Sequence, residues 1–243
     1  MFRNVKLIAA FAGKIPTLNE LDEEYELCLK SGDYSTLFEA SKLIQNHEQS
    51  PEELWRKIRA IRLFAVNNTK KSSPEQKQLI DQAYIYSKTG LEIGPENWAC
   101  NKWYAIMLGD KSEFEGSKAQ LLASPDMKTH FGKAAELNPN DATCQHLVGL
   151  WCFSFANMSW MTRKVAGTVF AKVPESSYEE ALSYFERAER LEPDFYSKNW
   201  LHLAKCYKAL GMIEEFGNYR KKLLEFQPVD AEDRECQEEA KRL

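Results

Sequence analysis

The stretch ALSYFERAERLEP, residues 181–193, decides how this chain is read. Seven residues make almost two helical turns, so Ala181 and Ala188 share one face, and Pro193, which cannot propagate a helix, stops it. Small side chains at that spacing belong where another helix approaches closely. The same punctuation recurs along the chain at Pro95, Pro139, Pro193 and Pro228, at intervals of 44, 54 and 35 residues. Twelve residues before each proline stand Ala83, Met127, Ala181 and Phe216, and five before stand Gly90, Ala134, Ala188 and Leu223. Small residues predominate among these eight without being universal.

The run after Pro193, SKNWLHLAKCYKALG, identifies the repeat. Trp200, Leu203, Ala204, Tyr207 and Gly211 stand where a tetratricopeptide unit has its Trp, Leu, Gly, Tyr and Gly, and CQHLVGLWCF after Pro139 keeps Val148 and Gly149. The chain therefore resembles the tetratricopeptide family of helix-turn-helix repeats. One unit of that family is about 34 residues, so the two longer intervals carry roughly ten and twenty extra residues. The larger excess, ANMSWMTRKVAGTVFAKVPES, is expected to form an inserted helix within 152–176.

Upstream, Thr17 and Glu20 make a capping-box pattern, and Gly32-Asp33-Tyr34 reads as a turn between two helices. Pro51 and Pro74 open two further helices around the polar loop 67–73. A last helix is expected from Asp230. No strand-like alternation competes, so the expected fold is all-α: a tetratricopeptide-like α-solenoid of about a dozen helices, antiparallel pairs forming a superhelix with inserted helices. It is read as one domain over 17–243, preceded by a segment 1–16. That segment has Arg3, Lys6 and Lys14, no acid, and Phe2, Val5, Ile8 and Ala9 at helical spacing. It is read either as a targeting or membrane-surface helix or as a first helix packed on the body.

With 44% apolar residues in 243, the chain is expected to fold and to be soluble. A formal charge of -4, from 36 acids and 32 bases, speaks against a nucleic-acid partner. Six cysteines with no C-x-x-C pair suit buried thiols in a reducing compartment, not a zinc site. No apolar run reaches the eighteen residues of a membrane span. No phosphate-cradling glycine loop, G-x-S-x-G or H-E-x-x-H stands anywhere, so neither catalysis, cofactor nor metal is expected.

A closer resemblance rests on the blocks WACNKWYAI, KTHFGKAAELNPNDATCQHLVGLWCF, SWMTRKVAGTVF and YEEALSYFERAERLEPDFYSKNWLHLAKCYKALG, in this order. They resemble the regulator of microtubule dynamics family from about Leu54 to Leu243, and SWMTRK followed by YEEAL is the most specific part. The resemblance implies a non-catalytic protein of the cytoplasm and cytoskeleton, on spindle microtubules and spindle poles, with microtubule-associated proteins as partners. It also implies relatives that are mitochondrial or anchored on organelle membranes.

In a tetratricopeptide array the first helix of each unit lines a concave groove. Carried onto this chain, that resemblance puts Lys102, His146, Lys198, Leu201, Lys205 and Lys208 in the groove as partner-binding residues. Lys198, Lys205 and Lys208 share one helical face, expected to be exposed, where ammonium groups could hold the acidic tails of tubulin. Ordinary solvated lysines are the other reading. Arg163 and Lys164 in the insertion form a second basic surface, with Lys172 further on, and the insertion is read as a contact surface or as a plug of the groove. Arg56, Lys57, Arg59 and Arg62 are read as the polar side of an amphipathic helix. Trp98, Trp103, Trp151, Trp160 and Trp200 are expected mostly in the core. An alternative function places a lipid acyl chain or hydrophobic peptide in an apolar cavity around Ile106, Leu150, Phe153 and Leu201.

Overall fold

The computed structural model describes residues 15–44, 50–168, 170 and 173–243. Most of the segment 1–16, and Lys172, lie outside these described residues. Among them there are twelve helices, no strand, and no helix long and apolar enough to cross a membrane. The all-α expectation holds. The chain divides into two compact units, 1–114 with 229–231 and 115–228 with 232–243, a division the repeat pattern does not reveal.

Unit 1 contains α1 (Leu18–Ser31), α2 (Ser35–Lys42), α3 (Pro51–Asn68), α4 (Pro74–Ile93) and α5 (Trp98–Glu115). Its starts are written in the chain. The Thr17 hydroxyl accepts from Glu20 N at 3.3 Å while the Glu20 carboxylate accepts from Thr17 N at 2.7 Å, and Ser50 and Glu53 repeat this box ahead of Pro51. One apolar cluster joins α3, α4 and α5 through Trp55, Ile58, Ile80, Ala83, Trp103 and Met107, and another joins α1 and α2 to Ala60 of α3.

The basic residues of α3 are not a solvated side. Arg56 and Arg59 both pair with Asp22 of α1, at 2.6 and 2.8 Å, and Arg62 pairs with Asp110 of α5 at 2.7 Å. Lys57 is buried and donates to the carbonyl of Ile44. Heptad arithmetic on α3 alone shows a charged stripe. The acids that turn it into struts lie 34, 37 and 48 residues away in sequence.

Unit 2 contains α6 (Ser117–Leu137), α7 (Ala142–Ala156), α8 (Trp160–Ala166), α9 (Tyr178–Leu191), α10 (Ser197–Ala209), α11 (Ile213–Glu225) and α12 (Ala231–Arg242). Helix α9 packs on α7 and α10, and the face carrying Ala181, Phe185 and Ala188 is wholly buried. Gly149 of α7 lies against it: a Cβ there would stand 3.0 Å from the Phe185 ring and 3.1 Å from Tyr184 Cβ. The small residues are therefore there to let helices touch. The inserted helix is α8 alone, shorter than 152–176: residues 152–156 continue α7, and 173–177 are not helical.

Helix α12 stacks on α10 and α11 through Cys236 and Ala240, which join Trp200, Leu201, Ala204 and Leu223 in one cluster. Its other side exposes Arg234, Glu235, Glu238 and Arg242. It occupies the place of the first helix of a further unit, with a charged outer side.

Two glycines separate close approach from helix propensity. Gly132, inside α6, has nothing within 4 Å of a Cβ, whereas Gly149 has the Phe185 ring. Gly132→Ala should stabilise by about 0.5–1 kcal/mol, and Gly149→Ala should destabilise by about 1 kcal/mol or more through overpacking. Urea unfolding of both variants checks this, and equal effects would mean that α7 and α9 are not in contact at Gly149.

Candidate functional site

The predicted groove residues of unit 2 lie on or beside α10, and α10 is held by a side chain that spacing rules do not nominate. Asn199 is wholly buried. Its Nδ2 donates to the Phe185 carbonyl at 3.1 Å and to Glu189 Oε2 at 3.2 Å, both on α9. Its Oδ1 lies 3.0 Å from His146 Nδ1 on α7. With the amide nitrogen committed to α9, the oxygen must accept, so His146 carries its proton on Nδ1. One amide thus ties three helices.

His146 does not line an open groove. It is 1% exposed and sits among Phe185, Tyr196 and His202, with ring centroids 5.1–5.8 Å away. Burial lowers its pKa to about 4, with Lys198 adding to the effect, against the opposing influence of the Asn199 hydrogen bond and Glu232. His202, stacked on Phe185 and bonded through Nδ1 to the Lys198 carbonyl, is held well below the ordinary value by burial, by His146 and by Lys205. Both rings are neutral near pH 7. Leu201 is buried in the cluster with α12, and Phe153 packs edge-on against Tyr178 and His202.

The three lysines of α10 do share one face, as expected, but the face is not open. Lys198 pairs with Glu232, Lys205 pairs with Glu239 at 2.8 Å, and Lys208 donates to the backbone oxygen of Leu243 at 2.6 Å. Every partner belongs to α12 or the residue after it, 34 or 35 positions further on. This is the offset of one repeat. The acceptors differ in depth. Glu232 is buried and also accepts from the Tyr196 hydroxyl, whereas the Glu239 side chain is 49% exposed and Lys208 is itself exposed. Lys102, the groove residue assigned to unit 1, is buried with its ammonium over the Trp98 ring at 4.4 Å.

The insertion residues behave differently from each other. Arg163 donates to the Phe155 carbonyl at 2.9 Å and so anchors α8 to the end of α7, while Lys164 is exposed. Trp103, Trp151 and Trp200 are buried and Trp98 is half-buried, in line with a core role, but Trp160 is 75% exposed.

Sequence reasoning missed Asn199, yet a signal existed. Six residues after Pro95, Pro139 and Pro193 stand Asn101, Gln145 and Asn199, all buried. Asn101 and Gln145 donate back to the carbonyls of Pro95 and Pro139, at 2.9 and 3.4 Å. An amide recurring on an otherwise apolar face marks a buried polar contact, because such groups persist there only when paired.

Helix pairs punctuated by proline, with small residues at their crossings and a recurring amide, define a tetratricopeptide-like repeat protein. The structure is similar to that of a thermophilic TPR protein from Thermus thermophilus, with a TM-score of 0.59, 18% identity, and coverage of 93% of this chain and 98% of that one. The chain belongs to the family described as regulator of microtubule dynamics protein 1-3, whose model matches residues 18–243. It is 39% identical over 235 residues to regulator of microtubule dynamics protein 1 of Pongo abelii, covering 97% of this chain and 74% of that protein. It is 32% identical to protein 3 of Xenopus laevis, covering 88% of this chain and 48% of that protein.

The neutral histidines make stability pH-dependent with a definite sign. A folded pKa below the unfolded value of about 6.5 means that the unfolded chain binds the extra protons, so stability is full above that pH and falls below it. His146 alone should cost about 2 kcal/mol at pH 5, measured by urea unfolding at pH 5 and 7.5. His146→Gln should flatten this dependence, and an unchanged slope would contradict neutral burial.

Proposed function

We propose that this chain is a non-enzymatic scaffold that binds microtubules and regulates their dynamics from the cytoplasm and cytoskeleton, with the spindle and its poles as a place of action. Family membership supports the microtubule reading. The observation that carries the site is that the lysine row of α10 already holds carboxylates and a backbone oxygen presented by an acidic segment. Tubulin tails offer the same chemistry in extended form.

The row divides by depth. Lys198 is a structural strut, because the carboxylate of its partner Glu232 is buried. Lys205 and Lys208 are the contact, since partly exposed pairs are worth about 1 kcal/mol or less and exchange partners readily. Lys102, His146 and Leu201 support the helices without meeting the tail. An acidic tail would then replace Glu239 and Leu243 rather than fill an empty groove.

Lys205→Gln with Lys208→Gln should weaken co-sedimentation with microtubules by about tenfold at low salt, with the fold of the variant checked by circular dichroism. Glu239→Gln, which frees Lys205, should strengthen binding a few-fold. Both differences should shrink as salt shortens the Debye length from about 10 Å. Binding that ignores all three changes would place the contact elsewhere or make it indirect.

A further inference from the structure

The helix α8 presents two unlike faces. Arg163, bonded to Phe155, and Ala166, wholly buried, turn inward. Trp160, Met161 and Val165 turn outward, 75%, 71% and 53% exposed, and Lys164 is exposed beside them with its ammonium 5.4 Å from the Trp160 ring centroid. Trp160 with Lys164, and Met161 with Val165, are i, i+4 pairs, so these four side chains form one patch. From Asn157 to Thr168 the sequence has two bases, Arg163 and Lys164, and no acid, on a chain whose net charge is -4.

From this patch we propose that α8 is a docking surface for an anionic lipid bilayer, with Trp160, Met161 and Val165 entering the headgroup boundary and Lys164 meeting acidic headgroups. The shape decides the partner. A tryptophan standing out from a helix of seven residues is a ridge, not a groove. A flexible acidic peptide offers carboxylates to Lys164 but nothing to cover three apolar side chains. The bilayer interface accepts both, because an indole prefers the boundary where its ring is half apolar and half wet, and a lysine stem reaches outward to phosphate or carboxylate. The proposal goes beyond the microtubule reading and uses none of the residues assigned to it.

The test uses the full chain and vesicles of phosphatidylcholine with and without about 30 mol% phosphatidylserine. Flotation should show binding to the anionic vesicles only. Trp160→Ser with Val165→Ser should reduce it by about tenfold or more, and Lys164→Glu should weaken it on anionic vesicles. Because residues 1–16 could also bring the chain to a bilayer, a second readout reports α8 directly. Phosphatidylcholine brominated on its acyl chains, mixed into the same vesicles, should quench tryptophan emission in the original chain and not in Trp160→Phe. Absence of vesicle binding, quenching that survives Trp160→Phe, or loss of microtubule binding rather than vesicle binding in the Ser variants would each overturn the proposal. Circular dichroism of every variant separates these outcomes from misfolding.

Discussion

The hydrogen bonds of Asn199 are the constraint on which unit 2 depends. A single buried amide meets His146 on α7 and the Phe185 carbonyl and Glu189 on α9, while its own helix α10 carries the lysines. The arrangement has no slack. Removing the amide would strand a buried imidazole donor, at a cost of about 1–3 kcal/mol, and leave the Phe185 carbonyl with its helical partner alone. Glu189 extends the network by accepting from Trp200 Nε1 and from Lys222 of α11. Apolar packing alone tolerates sliding of one helix past another, whereas a network in which every member is satisfied admits one register.

From that register the surface follows. Once α10 is seated on α7 and α9, its apolar side receives α12, and its lysines meet whatever α12 carries at the corresponding positions. Those positions are Glu232 and Glu239, so the end of the chain supplies an acidic segment to a basic row. The inner carboxylate, Glu232, is fixed by burial, and the outer one, Glu239, is half exposed. Function on this account is exchange: an acidic segment from a partner takes over contacts that an acidic segment of the chain itself maintains in the free protein.

Much of this was legible in the chain, in proportion to how local the physics is. Helix ends at Pro95, Pro139 and Pro193, the Thr17–Glu20 box, and the close crossing at Ala181 and Ala188 follow from rules that act within two turns. The lysine face of α10 was legible as a face, but its covering was not. That required laying residue 198 over 232 and 205 over 239, one unit apart, whereas helical periodicity compares neighbours seven apart. The same limitation turned Arg56, Arg59 and Arg62 into a supposed solvated stripe when Asp22 and Asp110, with which they pair, stand on other helices. Trp160 escaped for the opposite reason: burial of aromatics is the rule, and the insertion that exposes it departs from the repeat. Asn199 was visible only as an oddity in an apolar face, until its partners on two other helices were known.

The exchange account is tested most directly by hydrogen exchange of α12 in the presence of a glutamate-rich peptide with the chemistry of a tubulin tail. Binding of the tail should leave the amides around Cys236 protected, since that residue is packed in the core, while amides from Glu239 to Leu243 exchange about tenfold faster as their contacts with Lys205 and Lys208 are lost. Slower exchange over the same residues, in a chain that binds the peptide, would show that the tail lies on α12 rather than replacing it, and would contradict the account.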